Sequence, residues 1–456
     1  MVSGTLELEA SKPPAGEVLD APGTWATDGD LRIFEPYGDD LALLRGSTRR
    51  GDEAVLLGAH VEHSPDGRSF IRAETALVGE GIPKDLLFAS AEFQVGGLTE
   101  ISGIRPLKQV KVPTSMDGDP EAGAVWDSDA TAQEWATSKG DTVRLRFKPL
   151  FEWKQHYSFS LTTTPVIFVY GEPRTAEDWL RQYVRPLAEI TTFATQRPQP
   201  VSWVVLRDSG DNPPPVQVFA EGMTQQPYDA TPPEFTELIS YGNGALVRLG
   251  PGGAALPDLL DGWATLQSTY STFFDYLTVA LRGPMSARSR FLALLPALEG
   301  LHVAKYDDGP MPRSEYKSQR KSVIGRLSEA EGVSQEDADF VKTWLNGLGS
   351  YELAHRLREI AGKELGPELR RRVTERVDPL PAVLEGIVQN PQDVWAVMGT
   401  VRNRIAHGDP RQPSDPQLAA LTRLAHAVAT GAALNLLGIP ETVLRDAIDQ
   451  ERWLVL

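Results

Sequence analysis

The sequence predicts an α+β protein with more than one domain. A β-rich N-terminal region, an antiparallel sandwich or curved sheet, is followed by an all-α helical bundle. At 456 residues the chain is too long for one ordinary hydrophobic core. Short apolar runs separated by Gly and Pro turns fill its first half, and a helical pattern fills its second. Gly and Pro at residues 250–253 separate the two patterns. We therefore predict domains at residues 1–255 and 256–456, and leave open a further division of the first near residue 172.

Strands and one helix account for the N-terminal region. Apolar and charged residues alternate at 143–147, and 166–170 is a continuous apolar run typical of a central strand. A capping threonine, early acidic residues and helically spaced apolar residues predict a helix at 175–195. Two further strands are predicted at 202–207 and 216–220. Because turn residues separate these runs, we expect mainly antiparallel pairing.

Helices are predicted for the rest of the chain, since apolar residues recur there at helical spacing between Gly and Pro breaks. We expect them at about residues 256–282, 286–305, 314–331, 335–347, 351–377, 391–407, 416–437 and 440–452. The second carries a broad apolar stripe made of Phe291, Leu294, Leu295, Leu298 and Leu301.

The composition is that of a soluble globular protein, with 41% hydrophobic and 23% charged residues. The absence of cysteine excludes disulfides, thiolate metal sites and a cysteine nucleophile. The N-terminus shows no signal peptide, and no apolar run is long enough to span a membrane. We therefore expect a cytoplasmic protein with no membrane contact.

The net charge of −17 is unevenly distributed. Residues 256–456 hold 23 Lys and Arg against 26 Asp and Glu, a net of −3, which leaves 22 against 36, a net of −14, for residues 1–255. The second half also contains local basic clusters, namely Arg370, Arg371 and Arg372, and Lys317, Arg320 and Lys321. Neither half has the basic balance of a protein that coats nucleic acid, so a small, transiently bound target fits better.

One motif carries the chemistry. Residues 401–409 read V-R-N-R-I-A-H-G-D at the end of an apolar helical run. On a helix, Arg402, Asn403 and His407 fall at about 0°, 100° and 140° and share one broad face. Gly408 follows at the point where a helix would end, because glycine adopts the left-handed cap conformation easily.

These three side chains suit RNA cleavage without a metal. A histidine can take the proton of a ribose 2′-hydroxyl or return one to the leaving oxygen. The arginine can stabilise the charge that develops on the phosphate, and the asparagine can orient the phosphate or the imidazole. The alternative is a structural ion pair at Arg402 and a helix cap at His407.

The motif resembles the R-x(4–6)-H signature of the HEPN superfamily of ribonucleases, which are helical bundles. The order of regions resembles that of ApeA-type bacterial anti-phage proteins, in which a β-rich region precedes a HEPN domain. The resemblance implies a metal-independent endoribonuclease without a cofactor, acting in abortive infection. Its substrate would be RNA, with tRNA as one candidate, and its β-rich region would sense a phage-derived trigger or restrain activity.

The resemblance has two further implications for the site. HEPN ribonucleases commonly form homodimers through this domain, which would bring two copies of His407 together as base and acid. An acidic residue on an earlier helix often faces the motif, so Glu299 would hold Arg402 or His407 in position. The alternative, which the sequence supports equally, is that Glu299 is a surface residue beside the apolar stripe.

Other candidate sites are weaker. On a strand, His60 and Glu62 share a face that His63 does not, which argues against a metal site. The acidic loop after Asp117 departs from the calcium-binding pattern. Trp126, Trp135 and Trp153, if exposed in one groove, would instead indicate a carbohydrate-binding β-sandwich. A non-catalytic HEPN-type binding or regulatory protein is the other alternative. The histidines at 302, 355 and 426 have no partnered motif and indicate packing or surface positions.

Overall fold

The computed structural model of the protein describes residues 4–9, 12–18, 23–28, 31–36, 40–48, 51–63, 69–104, 106–111, 123–126, 132–154, 158–223, 245–250, 253–282, 285–306, 313–330, 332–345, 352–387 and 393–439. The chain divides into two compact units, Met1–Leu260 and Asp261–Leu456. The first is rich in strands and the second is helical, which confirms the predicted fold class.

Antiparallel strands dominate the N-terminal unit. Their bounds are β1 Gly4–Glu7, β2 Ala15–Val18, β3 Gly23–Asp28, β4 Leu31–Pro36, β5 Asp40–Ser47, β6 Glu53–His63, β7 Ser69–Arg72, β8 Thr75–Gly79, β9 Phe88–Val95, β10 Leu107–Lys111, β11 Gly123–Trp126, β12 Ala132–Ala136, β13 Thr142–Lys154, β14 Ser158–Arg174, β15 Val201–Arg207 and β16 Val216–Ala220.

Twelve of these strands form one sheet, in the order β1-β2-β7-β6-β8-β16-β15-β9-β14-β13-β12, with β5 paired to β6. The pairs β3–β4 and β10–β11 form two small sheets of their own. Strand β14 runs through residue 172, and β15 joins the same sheet beside β9. The described strands on both sides of residue 172 therefore share one sheet.

A helical segment lies against this sheet. It consists of α2 (Ala176–Trp179), a π-helical turn (Leu180–Val184) and α3 (Arg185–Thr195), as the sequence predicts for residues 175–195. A short helix, α1 (Leu98–Ile101), follows β9. The indole Nε1 of Trp179 donates to the carbonyl of Phe88 on β9 at 2.9 Å. Burial of Leu187, Ile190 and Phe193 on α3 supplies the apolar face that holds the segment in place.

A buried polar network joins the ends of β13 and β14 to the π-helical turn. The guanidinium of Arg174 contacts both carboxylate oxygens of Asp141, at 2.7 and 3.0 Å, and donates to Gln182 at 2.8 Å. The hydroxyl of Tyr183 donates to Asp141, and burial raises the pKa of Tyr183 to about 12. A Cβ at Gly171 would lie 1.7 Å from Asp141 Oδ1, so only glycine fits there.

The rest of the described chain is helical. The bounds are α4 Leu256–Thr269, α5 Ser271–Arg282, α6 Ala287–Lys305, α7 Arg313–Glu329, α8 Gln335–Leu345, α9 Leu353–Lys363, α10 Pro367–Val377, α11 Leu380–Val383, α12 Val394–Ala406 and α13 Asp415–Leu436. All five residues of the predicted apolar stripe on α6 are buried. The packing of α6 against α5, α9 and α13 places that helix at the centre of the unit.

Two predicted helices are each divided, and these predictions were wrong. The helix predicted at 351–377 breaks into α9 and α10, because Pro367 lacks an amide donor and begins a new helix after Gly366. The helix predicted at 256–282 breaks at Tyr270, within a Ser- and Thr-rich run of low helix propensity. Helix α11 was not predicted.

The predicted helix at 440–452 lies outside the described residues. No helix among the described residues combines the length and hydropathy needed to cross a membrane.

Candidate functional site

Helix α12 carries the predicted motif and ends at it. The side chain of Asp393 caps its first turn by accepting from the amide of Ala396 at 3.3 Å. Its buried face, made of Val394, Val397, Met398, Val401 and Ile405, fixes its rotation in the unit. Because the motif residues lie off this buried face, they reach the surface.

His407 occupies the C-cap of α12, as the sequence predicts. Gly408 has a φ of +67°, and the next amide, that of Asp409, donates back to the carbonyl of Arg404 at 2.9 Å. This is the Schellman arrangement that ends a helix with a left-handed residue. The side chain of His407 is exposed. In the described part of the chain, no hydrogen bond or ion pair of its imidazole is observed.

Arg402 and Asn403 form a contact of their own. Nη1 of Arg402 donates to Oδ1 of Asn403 at 3.1 Å, and the Asn403 side chain is exposed. The Arg402 side chain is 36% exposed. His407 lies five residues further, a rise of about 7.5 Å along the helix.

Glu299 on α6 lies beside Arg402. Its Oε2 is 3.7 Å from Nη2 of Arg402, and its side chain is 25% exposed. A partly exposed ion pair of this length contributes ~0–1 kcal/mol to stability. The structure thus brings Glu299 to Arg402 and records no contact of Glu299 with His407 among the described residues.

The turn after His407 is held by contacts that the sequence did not reveal. Arg404 donates to the carbonyl of Ile387 at 2.7 Å, and Gln412 donates to the carbonyl of Arg404 at 3.2 Å. The carboxylate of Asp409 accepts three hydrogen bonds from Arg411, which lower the pKa of Asp409 to about 2. The Asp409 carboxylate therefore stays charged, and able to accept these hydrogen bonds, across the physiological pH range.

A polar network between α6 and α9 also escaped the sequence-based prediction. Nε2 of the fully buried His302 lies 2.7 Å from Oε2 of Glu359, and the exposed His355 lies 3.5 Å from the same oxygen. Lys363 forms an ion pair with Glu359 as well. Hydrogen bonds from Lys363 and His302 lower the pKa of Glu359. His302 follows Glu299 by one turn of α6, so this network helps to fix the helix that positions Glu299.

A second set of polar contacts, centred on Glu364, lies at the end of α6. Glu364, almost fully buried, accepts from Lys305 at 2.7 Å, from Asn435 of α13 at 3.2 Å and from the hydroxyl of Tyr306. Burial raises the pKa of Tyr306. Three helices are thereby joined through polar groups at a position that no local motif marks.

His426 on α13 is fully buried, and burial together with the nearby Arg290 lowers its pKa to about 4. It is a core residue that no substrate can reach. His60 is exposed on β6, whereas the side chains of Glu62 and His63 lie outside the described residues. Across the described ranges, no three His, Asp or Glu side chains group as metal ligands.

The remaining weak candidates fall largely outside the described residues. These are the acidic loop from Asp117 to Glu121 and the side chains of Trp126 and Trp153. Trp135 is half-buried on β12, in a strand whose residues alternate between half-buried and exposed.

The comparisons with known proteins concern the N-terminal unit. Residues 3–241 match the family model described as ApeA N-terminal domain 1, which is more than half of the chain. The match ends before the helices that carry Arg402 and His407. No curated protein and no solved structure matches the chain. The chain therefore belongs to the ApeA family of anti-phage proteins.

Proposed function

We propose that the protein is a metal-independent endoribonuclease whose centre is the end of α12. The observation that carries the proposal is the exposed imidazole of His407, which follows Arg402 by little more than one turn. A histidine and an arginine at this separation can both reach one phosphodiester. The resemblance of R-N-x-x-x-H-G to the HEPN signature supports the same chemistry.

The reaction proceeds by attack of the ribose 2′-oxygen on the adjacent phosphorus. His407 takes the 2′-hydroxyl proton, the O2′–P bond forms, and the P–O5′ bond breaks. The guanidinium of Arg402 stabilises the added negative charge on the phosphate oxygens. The amide of Asn403, whose oxygen is held by Arg402, presents its NH₂ group to the phosphate. The products are a 2′,3′-cyclic phosphate and a 5′-hydroxyl end.

Protonation of the leaving oxygen requires a second acid. We propose that a homodimer formed through the helical unit supplies it as the second copy of His407. Glu299 acts on the reaction through Arg402, by holding the guanidinium from α6. No cofactor is needed for these steps.

We propose that the N-terminal unit restrains or triggers the nuclease in response to a phage-derived component. The ApeA match supports a role in phage defence, and abortive infection through cleavage of tRNA or another RNA fits that role. On this account the isolated protein has low activity until the trigger binds.

A non-catalytic binding protein is the second candidate. The Arg402–Glu299 pair favours it, since an arginine that joins α12 to α6 could serve the fold alone. This candidate gives the N-terminal unit the same recognition role and assigns no cleavage to α12.

Cleavage of a labelled RNA and tRNA pool in EDTA separates the two candidates. Lysate from phage-infected cells serves as the source of trigger. We expect wild type to cut, and Arg402→Ala and His407→Ala to lose activity by roughly 100-fold or more. Arg423→Ala and His60→Ala remove an exposed arginine and an exposed histidine that do not belong to the motif, and we expect both to behave as wild type. Equal cleavage by all five proteins contradicts the assignment.

A further inference from the structure

Two cation clusters lie on helices of the C-terminal unit and differ in their partners. On α10, Arg371 forms ion pairs with Glu368 and Glu375, and Arg372 lies 3.3 Å from Glu368 and 3.9 Å from Glu375. Both glutamates stand three or four residues from both arginines, on the same helix face. The charges of Arg371 and Arg372 are therefore neutralised within the helix, whereas Arg370 donates to the carbonyl of Leu365 at 3.0 Å.

The cluster on α7 has no such neutralisation. Lys317, Arg320 and Lys321 have no acidic residue three or four positions away on either side. Lys317 and Lys321 are exposed, and Arg320 is half-buried with an Nε that has no hydrogen-bond partner. Within the described residues, none of the three forms an ion pair.

The three cations share one face of α7, because positions i, i+3 and i+4 are neighbours on a helix. We refer to Lys317, Arg320 and Lys321 as the α7 cationic face. They span about 6 Å along the helix axis, because four residues rise about 1.5 Å each. Like charges at this spacing destabilise a helix. Their close placement therefore costs stability in the free protein and favours an external anion as the partner.

We propose that the α7 cationic face binds the phosphate backbone of the RNA substrate. This inference rests on the proposed ribonuclease function. Because a chain with a net charge of −17 repels a polyanion overall, a local cluster of cations that have no carboxylate partner in the described part of the chain favours binding of the strand. Lysine contacts phosphate as a point charge, and such contacts carry no base preference. The face therefore supplies affinity, and it leaves the choice of cleavage site to other residues.

Binding measurements on matched double variants test the proposal. All proteins carry His407→Ala, so that the 5′-labelled single-stranded RNA stays intact during anisotropy titrations at several salt concentrations. Lys317→Gln/Lys321→Gln is compared with Arg371→Gln/Arg372→Gln, which removes the same number of charges. Because each lost phosphate contact lowers the slope of log K against log salt by about 0.7, we expect the α7 variant to lose about 1.4. We expect little change for the α10 variant, and the same loss on the α7 face for RNAs of unrelated sequence.

Three outcomes would overturn the α7 assignment. Equal loss in both double variants would indicate net charge alone, and no loss in either would place the RNA elsewhere. Binding of a poly-glutamate peptide that is as tight as RNA binding, and equally dependent on the two lysines, would assign the face to an acidic protein. Glutamine maintains the helix, and the circular dichroism of both variants should match wild type.

Cleavage by the parent enzyme is measured separately. If the parent enzyme cuts RNA while the α7 double variant binds RNA normally, the α7 assignment fails and the proposed ribonuclease function stands. If the parent enzyme never cuts RNA, the proposed ribonuclease function fails, and the α7 assignment that rests on it fails too.

Discussion

Each unit of the molecule contains an arginine paired with a carboxylate. The two arginines differ in burial and in the number of hydrogen bonds that they donate. In the N-terminal unit, Arg174 donates to both carboxylate oxygens of the buried Asp141 and to Gln182. Its Cζ lies 4.5 Å from the centre of the Trp179 ring. In the helical unit, Arg402 reaches Glu299 at 3.7 Å.

The difference separates a structural pair from one that is open to a ligand. The donors of Arg174 are used, and both partners are withdrawn from water, so the pair fixes the junction of β13, β14 and the π-helical turn. The Arg402 side chain is 36% exposed and donates a hydrogen bond to the exposed Asn403. An arginine held loosely by one carboxylate can exchange water for phosphate without leaving a buried charge behind.

The largest expected effect is on the buried pair. Asp141→Ala leaves the Arg174 guanidinium uncompensated and the Tyr183 hydroxyl without its acceptor, which should lower the free energy of unfolding by about 3–5 kcal/mol. Urea unfolding followed by tryptophan fluorescence measures this. Glu134→Ala is the control, because it breaks an exposed pair with Arg144 on the same sheet and should cost less than about 1 kcal/mol. Similar losses in the two variants would remove the distinction between the pairs.

A smaller effect on stability is expected from the buried His426, and it depends on pH. The pKa of His426 is about 4 in the folded protein and 6.5 in the unfolded chain, so the unfolded chain binds the proton more readily. The stability from this group is therefore present above pH 6.5 and is lost as the pH falls through 4, by up to about 3 kcal/mol.

The variant His426→Leu tests that pH dependence. We expect it to flatten the decline in the free energy of unfolding between pH 6.5 and 4. Unfolding is measured by circular dichroism at pH 7 and pH 4.5. An unchanged pH dependence in His426→Leu would show that other groups account for acid sensitivity.

The smallest expected effect on stability is at Glu299. Glu299→Gln should change the free energy of unfolding by less than about 1 kcal/mol, because its pair with Arg402 is partly exposed. It should nevertheless lower kcat by roughly 10-fold to 100-fold at a nearly constant KM, since a misplaced guanidinium stabilises the transition state less well. A variant that loses stability and keeps full cleavage would make the pair structural, like that of Arg174.

The sequence was sufficient where the determining pattern is local. Gly408 and the preceding apolar run predicted a helix that ends at His407, and the spacing of Arg402, Asn403 and His407 predicted that they share one broad face of it. The helix break at Gly366 and Pro367 was equally local, and the prediction of one helix at 351–377 gave those two residues too little weight.

The rest depended on packing. Glu299 and Arg402 are far apart in sequence, so no periodicity could decide between a surface glutamate and a partner of the motif. The contact between His302 and Glu359 is likewise created by the packing of α6 on α9. The sequence alone distinguishes the two basic clusters, because Glu368 and Glu375 stand at helical spacing from Arg371 and Arg372, whereas no acidic residue stands at that spacing from Lys317.

Cleavage in EDTA of an RNA with one 2′-deoxynucleotide at the mapped cut position shows whether the adjacent 2′-hydroxyl is the nucleophile. If the end of α12 acts through the adjacent 2′-hydroxyl, that one bond should resist cleavage while other cut positions react normally and yield cyclic phosphate ends. Cleavage of the deoxy-substituted bond at the normal rate, or 3′-hydroxyl products, would contradict this mechanism.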